Sequence, residues 1–257
     1  MAVALVTGAG ARLGRAMALY LADRGYDIAV HYAQSQQGAQ EVVEAARAKG
    51  RKAQAFQADL LIEEETQTLF PAVLAAMDGP VTCLINNASI FEYDVLETAT
   101  RDSWDRHFES NLRAPFVLTQ ALAAQIPDPT TDDMDEPVAQ GLVINMLDQR
   151  VRKLTPEFMT YTLAKMGLWA LTQTAARGLA PRVRVNAIGP GPTLQGARQT
   201  KEHFDAQRAA TVLQRGSNPS DVTAALGFFI DSPGVTGQLI CTDGGQHLGW
   251  QTPDIQG

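Results

Sequence analysis

The sequence has few of the features that mark secreted, membrane or metal-binding proteins. Its two cysteines, Cys83 and Cys241, each fall in a predicted buried strand, so we expect inert core thiols rather than a disulfide framework. The four histidines have no ligand spacing, and no metal site is predicted. The chain has no apolar run long enough to span a bilayer, and its opening lacks the features of a signal peptide. We expect a cytoplasmic protein that makes no membrane contact.

Clusters of basic residues are also missing. The formal net charge is -7, which disfavours a nucleic-acid partner. The 257 residues are 45% hydrophobic and 19% charged, and no Pro/Gly/Ser-rich linker divides them, so we predict one α/β domain over 1–257. Within it we predict an acidic, proline-rich surface loop near 127–137 and a substrate lid near 193–218.

Short β-branched runs alternate with longer helical patterns along the chain. This alternation predicts right-handed crossovers onto a parallel sheet, hence a doubly wound α/β fold with ligands at the carboxyl ends of its strands. The predicted strands are 3–6, 27–32, 53–56, 81–85, 141–145, 183–186 and 237–241, and the predicted helices lie near 12–24, 37–49, 63–77, 101–125, 158–179 and 219–230.

A glycine-rich turn joins the first predicted strand to the first predicted helix. It includes Gly8, Gly10 and Gly14. Glycines allow backbone to approach a pyrophosphate, and the helix N-terminus supplies unpaired N–H groups and a positive dipole end. A turn without a ligand is the alternative, but the strand before and the helix after it favour dinucleotide binding.

The end of the second predicted strand indicates which dinucleotide is preferred. An NAD site usually places Asp or Glu about 20 residues after the glycines, whereas here no carboxylate occurs between His31 and Glu41. A 2′-phosphate would not be repelled at this position. Arg12 adds a cation and Gln34 and Ser35 add hydrogen-bond donors, so we predict NADP(H).

Tyr161 and Lys165 lie four positions apart in an apolar-rich predicted helix. Both side chains should therefore extend from one helix face. A fixed ammonium would lower the tyrosine pKa from about 10 and make the phenol a proton donor near neutrality. The alternative is a surface helix that carries this pair by chance.

Several separate motifs occur in the order and spacing of the short-chain dehydrogenase/reductase family, which the chain resembles over almost its whole length. The resemblance implies a Rossmann-type sheet of about seven strands, hydride transfer from nicotinamide, and a homotetramer in which helices 101–125 and 158–179 pair across two-fold axes. It also implies a catalytic group of Asn111, Tyr161 and Lys165, with Lys165 holding the nicotinamide ribose and Asn111 anchoring a water. The motifs are Thr7-Gly8…Gly14, Asn86-Asn87-Ala88, Asn111, Tyr161…Lys165, Asn186 and Pro190-Gly191.

Two departures from the general family pattern resemble the pteridine reductases. Arg12 stands where most members have a second glycine, and Asp148 stands where they have a serine. In that branch the residue equivalent to Phe91 stacks on a pterin, the arginine touches substrate and cofactor phosphate, and the aspartate works with Tyr161 in protonation. The implied cofactor contacts are Gly8, Arg12, Leu13, Gly14, His31, Gln34, Ser35, Asn87, Ala88, Lys165, Pro190, Gly191 and Thr193, and the implied substrate contacts are Arg12, Ser89, Phe91, Asp148 and Tyr161.

Three candidates keep a structural alternative. Asp59 and Leu60 follow the third predicted strand and could hold the adenine edge, although a turn or helix cap accounts equally well for Asp59. Asp148 could cap the next helix. Phe91 could be a core aromatic.

The chemistry of Asp148 narrows the function. A carboxylate would repel the oxyanion that forms from a ketone, whereas it can hold ring N–H donors or, with a raised pKa, deliver a proton to a ring nitrogen. We therefore predict an NADPH-dependent reductase of a small pterin-like substrate, such as dihydrobiopterin or dihydromonapterin. The alternatives are a carbonyl or 3-oxoacyl reductase, which Asp148 disfavours, and a non-catalytic dinucleotide sensor, which would not need Asn111, Tyr161 and Lys165.

Overall fold

Seven parallel strands form the central sheet of the protein, for which a computed structural model describes residues 2–196 and 199–250. The strand order is β3-β2-β1-β4-β7-β8-β9, and every neighbouring pair is parallel. This confirms the predicted doubly wound Rossmann-type fold. The strands are β1 (Val3–Val6), β2 (Asp27–Tyr32), β3 (Ala53–Gln57), β4 (Val81–Asn86), β7 (Gly141–Met146), β8 (Val183–Pro190) and β9 (Leu239–Thr242).

Helices cover both faces of this sheet. Alternate residues of each strand point to opposite faces, so Ala4 and Val6 pack under α1, α2 and α8, while Val3 and Leu5 pack under α3 and α5. Strands buried on both faces explain the near-continuous apolar runs in the sequence. The helices are α1 (Arg12–Asp23), α2 (Gln36–Ala48), α3 (Glu63–Ala76), α4 (Arg101–Phe108), α5 (Ala114–Gln125), α6 (Met159–Gly178), α7 (Lys201–Ala209) and α8 (Pro219–Asp231).

The strand order reverses between β1 and β4, and the chain is tied together at that point. Thr7 Oγ1 accepts hydrogen bonds from the N–H groups of Asn87 and Ala88, both at 2.9 Å, and donates to the Ile85 carbonyl at 3.2 Å. Ligands of open α/β sheets bind at such a switch point, beyond the carboxyl ends of the strands.

Several elements differ from those predicted; for example, α7 was not predicted and β9 begins two residues later than expected. The helix predicted over 101–125 is interrupted by a π-helical turn, Glu109–Arg113, between α4 and α5. The sequence does not reveal this turn, because one inserted residue hardly alters an apolar pattern. The loop predicted over 127–137 contains a short antiparallel pair, β5 (Thr130–Thr131) and β6 (Pro137–Val138). Strand β8 continues to Pro190, four residues beyond the predicted end.

The cysteines are only partly as expected. Cys83 is fully buried in β4 and Cys241 in β9 is half-buried, so Cys241 is not a core thiol; neither forms a disulfide within the described residues. Burial raises the pKa of Cys83 to about 12 and that of Cys241 to about 11. Over residues 2–196 and 199–250 no helix has the length and apolar character needed to cross a membrane, and no cluster of His, Cys, Asp and Glu there could hold a metal ion.

Candidate active site

A cleft of about 560 Å³ lies at the carboxyl ends of the strands, on both sides of the switch point. It brings together most of the residues predicted from the sequence. Five predicted residues lie outside its lining, namely His31, Asp59, Leu60, Asn111 and Thr193. Those in the lining are Gly8, Arg12, Leu13, Gly14, Gln34, Ser35, Asn87, Ala88, Ser89, Phe91, Asp148, Tyr161, Lys165, Pro190 and Gly191.

The glycine turn after β1 has the geometry of a phosphate cradle. Gly8 has φ +62°, a left-handed conformation, and a Cβ added to Gly14 would lie 2.3 Å from the Gly8 carbonyl oxygen, so a larger residue cannot pack there. Asn87 Nδ2 holds the turn by donating to the carbonyls of Thr7 at 2.8 Å and Gly8 at 3.3 Å. No side chain caps the N-terminus of α1, so its N–H groups remain available to a pyrophosphate.

His31 supports this turn from beneath rather than lining the cleft. Its Nδ1 accepts the Gly8 N–H at 3.0 Å and its Nε2 lies 3.0 Å from the Ala58 carbonyl. An Nδ1 that accepts requires the proton on Nε2. Burial lowers the pKa of His31, which keeps the ring neutral and this pattern intact.

Three other predicted cofactor contacts have local structural roles. Asp59 Oδ1 accepts the Leu61 N–H at 3.0 Å, which is the turn alternative weighed for that residue. Leu60 is buried in the apolar core. Thr193 is buried, and its hydroxyl donates to the Gly191 carbonyl at 3.0 Å. Contact of these side chains with a cofactor stays a prediction.

Arg12 joins the glycine turn to the segment that follows β8. Its backbone has φ +52°, the left-handed conformation that a glycine adopts without strain, and this accounts for glycine at the equivalent position in most family members. Its guanidinium donates to the carbonyls of Leu194 at 3.0 Å and Gln195 at 2.9 Å. Arg12 therefore fixes one side of the predicted lid, in addition to lining the cleft.

A second arginine joins the two ends of the predicted lid. Arg208 on α7 donates to the carbonyls of Pro192 at 2.8 Å and Ser217 at 2.6 Å. Ala197 and Arg198, which belong to the same predicted lid, lie outside the described residues. Movement of the lid stays a prediction.

Tyr161, Asp148 and Lys165 converge in the cleft. The Tyr161 hydroxyl donates to Asp148 Oδ2 at 3.1 Å, and Asp148 Oδ1 accepts the Arg150 N–H at 2.8 Å. Asp148 therefore caps the short 3₁₀ turn that follows β7 and contacts Tyr161 at the same time. Lys165 Nζ donates to the Met146 carbonyl at 2.8 Å. Tyr161 and Lys165 are almost completely buried on one face of α6, as their spacing predicted.

The predicted lowering of the tyrosine pKa is wrong for this arrangement. Burial and the adjacent Asp148 carboxylate raise the pKa of Tyr161 well above its usual value, because both disfavour a phenolate. Burial also raises the pKa of Asp148 and lowers that of Lys165 to about 8. Tyr161 is therefore held as a neutral O–H donor, and the group beside it is a carboxyl with increased proton affinity.

Asn111 acts on the loop that follows β4. It is buried within the π-helical turn, and its side-chain amide both accepts the Ile90 N–H and donates to the Ile90 carbonyl, each at 2.9 Å. Such turns are often found at functional sites. Here the turn holds the segment that carries Ser89 and Phe91 into the cleft, and the predicted water contact of Asn111 stays a prediction.

Phe91 is half-exposed at the cleft, with 51% of its surface accessible, so the core alternative for this residue is wrong. Its ring stacks on Phe158 at 4.3 Å between centroids and meets the Tyr161 ring edge-on at 4.7 Å. An accessible aromatic ring beside a proton donor is suited to a planar substrate.

A buried polar network next to Tyr161 was missed by sequence reasoning. Asp94 accepts hydrogen bonds from the Thr160 N–H at 3.1 Å and from the Thr160 hydroxyl, while His107 Nδ1 lies 2.7 Å from that hydroxyl. His107 Nε2 accepts the Glu92 N–H at 3.1 Å. These bonds join the first turn of α6 to the Phe91 loop. No spacing links positions 94, 107 and 160, so only burial in the fold could reveal them.

Comparisons with known proteins agree with this geometry. Residues 2–206 match the family described as short chain dehydrogenase. The chain belongs to the short-chain dehydrogenase family. A 3-oxoacyl-[acyl-carrier-protein] reductase of Staphylococcus epidermidis is 31% identical to this short-chain dehydrogenase over 250 residues, which cover 95% of this chain and 98% of the relative.

Solved structures extend the comparison. FolM alternative dihydrofolate reductase 1 from Brucella canis, complexed with NADP, superposes with a TM-score of 0.91 and 39% identity, covering 99% of this chain and 97% of the other. The angucycline C-6 ketoreductase LanV with bound NADP gives a TM-score of 0.86 and 28% identity, covering 96% of each chain. This short-chain dehydrogenase is thus similar to reductases with different substrates.

Proposed function

We propose that this short-chain dehydrogenase is an NADPH-dependent reductase of a pterin-like substrate. The observation that carries the proposal is the hydrogen bond of 3.1 Å between Asp148 and the Tyr161 hydroxyl, inside the cleft that Phe91 lines. A buried carboxyl and a phenol can together bind and protonate a ring nitrogen. The likeness to FolM alternative dihydrofolate reductase 1 supports the same substrate class.

NADP(H) is the cofactor that fits the cleft. The structures of FolM from Brucella canis and of LanV both contain NADP, in agreement with the cofactor predicted from the sequence. The cleft wall at Gln34 and Ser35 has no carboxylate to repel a 2′-phosphate, and Asp148 is the one acidic residue of the described lining. One or two good phosphate contacts, worth about 1.5–3 kcal/mol each, predict roughly a tenfold to thousandfold preference for NADPH over NADH.

The cofactor supplies the hydride when it binds, and the residues of the chain manage the proton. Tyr161 presents a neutral hydroxyl to the substrate, and Asp148, with its raised pKa, either accepts ring N–H donors or delivers a proton to the nitrogen. Lys165, fixed by the Met146 carbonyl, would hold the nicotinamide ribose of the bound cofactor. One hydride and one proton then reduce a C=N bond of the substrate.

A 3-oxoacyl reductase is the second candidate, and the Staphylococcus epidermidis relative favours it. Reduction of a ketone forms an oxyanion that needs hydrogen-bond donors around it. Asp148 instead places a carboxyl next to the Tyr161 hydroxyl, which opposes that charge. A non-catalytic sensor would not need the assembled Asp148, Tyr161 and Lys165 group.

Oxidation of NADPH with dihydrobiopterin, and separately with a short 3-oxoacyl thioester, tests the proposal. We expect turnover of the dihydropterin, at least tenfold lower kcat/KM with the thioester, and loss of both activities in Tyr161→Phe. Titration of NADPH and NADH by cofactor fluorescence gives the cofactor preference. Thioester reduction without pterin reduction would transfer the assignment to the second candidate, and no reduction of either would support the sensor.

A further inference from the structure

Arg150 lies beside the active site in a position that the proton relay does not require. Its backbone N–H donates to Asp148 Oδ1, and its guanidinium lies 4.7 Å from the centroid of the Phe158 ring. Phe158 in turn stacks on Phe91, and Phe91 touches Tyr161. A continuous row of flat groups therefore runs from the reacting phenol to a positive charge.

The guanidinium of Arg150 forms no ion pair among residues 2–196 and 199–250, although its charge acts to lower the pKa of Asp148. Its hydrogen bond in this part of the chain goes from Nη1 to Thr155 Oγ1 at 2.7 Å. Other half-buried arginines have several acceptors: Arg184 donates to three backbone carbonyls, and Arg208 also donates to three. With one hydroxyl as its acceptor in this part of the chain, the Arg150 guanidinium keeps N–H groups available for an anion.

Arg150 lies outside the lining of the cleft, next to the part that Phe91 lines. The cofactor wall runs from the glycine turn to Ser35, whereas Phe158 connects Arg150 to Phe91. Phe91 and Phe158 separate the guanidinium from that wall. A group that reaches Arg150 must therefore extend from the ring held at Phe91, past the edge of Phe158.

We infer that Arg150 is a specificity-determining residue that binds an anionic substituent on the pterin ring of the substrate. The inference rests on the proposed function and makes it narrower: the substrate is a dihydropterin with a carboxylate-bearing side chain, as in folates, rather than an uncharged dihydropterin. The planar fork of a guanidinium binds carboxylates through two parallel hydrogen bonds. Stacking on Phe158 holds that fork in one orientation and leaves its remaining N–H groups for the ligand.

Kinetics of Arg150 variants with three dihydropterins test this inference. Dihydrofolate carries glutamate carboxylates, dihydropteroate carries a benzoate, and dihydrobiopterin carries no charge. In Arg150→Gln we expect the ratio of kcat/KM for dihydrofolate to that for dihydrobiopterin to fall about 10- to 100-fold, mainly through KM, which is the range for losing a charge-assisted hydrogen bond. Arg150→Lys should recover part of the ratio. A parallel fall for dihydropteroate would mean that Arg150 also reaches its shorter benzoate carboxylate, and an unchanged value would mean that Arg150 reaches only the glutamate carboxylates.

Arg152→Gln is the matched control. Arg152 follows Arg150 by two residues, and its exposed guanidinium lies 5.5 Å from the centroid of the Trp169 ring instead. It should leave the substrate ratio unchanged. An unchanged ratio in Arg150→Gln, or an equal fall in Arg152→Gln, would overturn the inference. Calorimetric binding of folate to the enzyme loaded with NADP⁺ separates the two proposals. Absence of pterin turnover would contradict the proposed function. Folate binding that does not depend on Arg150, or no folate binding, would contradict the role of Arg150.

Discussion

Asp148 illustrates how one residue can serve structure and chemistry together. One oxygen caps the 3₁₀ turn after β7 and the other accepts the hydrogen bond of Tyr161. The sequence suggested these roles as alternatives, and the structure contains both contacts. The cap fixes the carboxyl group in one rotamer, so that its second oxygen is already oriented toward the phenol before a substrate arrives.

Replacing Asp148 with serine should separate the two candidate substrates. Asp148→Ser removes the group that binds or protonates a ring nitrogen, so we expect pterin reduction to fall by about 10²- to 10⁴-fold. Reduction of a ketone should stay equal or rise, because the charge that opposes an oxyanion has gone. Steady-state kinetics with both substrates provide the measurement. Equal losses on the two would reduce Asp148 to its capping role.

Lys165 should make stability depend on pH in a defined direction. Its pKa is lowered to about 8 by burial, from 10.5 in an exposed lysine. Below pH 8 the lysine is charged in both the folded and the unfolded chain, so the free energy of unfolding is lowered by the full cost of burying the charge. Between pH 8 and 10.5 the unfolded chain binds the proton and the folded chain does not, so the free energy of unfolding gains up to about 1.4 kcal/mol per pH unit.

Urea unfolding of wild type and Lys165→Met measures this effect. The free energy of unfolding of wild type, taken relative to the variant, should rise as the pH increases from 7.5 to 9.5. Lys153→Met, which alters an exposed lysine, serves as the control and should show no such trend. A difference between wild type and Lys165→Met that is constant with pH would mean that Lys165 is charged throughout the range.

At the scale of elements, α6 is positioned by groups that precede it. Thr160 connects Asp94 to His107 one residue before Tyr161, and all three side chains are buried. Burial lowers the pKa of His107, so the ring stays neutral and its Nε2 continues to accept the Glu92 N–H. The network therefore fixes the position of the Tyr161 hydroxyl relative to Asp148 and to the Phe91 loop.

Thr160→Val should test this positioning role. The change leaves buried His107 Nδ1 without its partner and removes one of the hydrogen bonds to Asp94, so we expect the free energy of unfolding to fall by about 1–3 kcal/mol. Turnover should fall at least tenfold at a temperature where the variant is folded, while the Kd for NADPH stays the same. Thr160→Ser keeps the hydroxyl and should recover both quantities. A loss of stability without a change in turnover would limit the network to structural support.

The elements also show which features a sequence can predict. The seven strands were found because a doubly buried strand is an apolar run of a length that few other elements share. The π-helical turn was missed, since Asn111 fits a continuous helix equally well, and the pair β5 and β6 is too short to produce a pattern. The direction of the Tyr161 pKa was wrong because burial and the distance to Asp148 depend on the fold, whereas the four-residue spacing to Lys165 does not.

At the scale of the whole molecule, part of the expected assembly surface is internal core. On α6, one of the two helices expected to pair, Leu168 is buried against Leu147 and Val151. Large apolar side chains remain exposed on the helices predicted to pair, with accessible fractions of 41% for Trp104, 38% for Phe116 and 42% for Leu163. They lie on α4, α5 and α6. Exposed apolar residues on neighbouring helices are typical of an interface between copies.

We predict a homotetramer in which this surface pairs across a two-fold axis. Sedimentation velocity at micromolar concentration should give four times the mass of one chain. Leu163→Glu should shift the protein to smaller species, because an isologous contact places each substituted side chain in the same interface and buries two new charges. Met134→Glu, which alters a side chain that is 82% exposed between β5 and β6, is the control and should leave the mass unchanged. A monomeric wild type would show that these helices remain exposed to solvent, and equal dissociation in both variants would indicate a general effect of added negative charge on an already acidic chain.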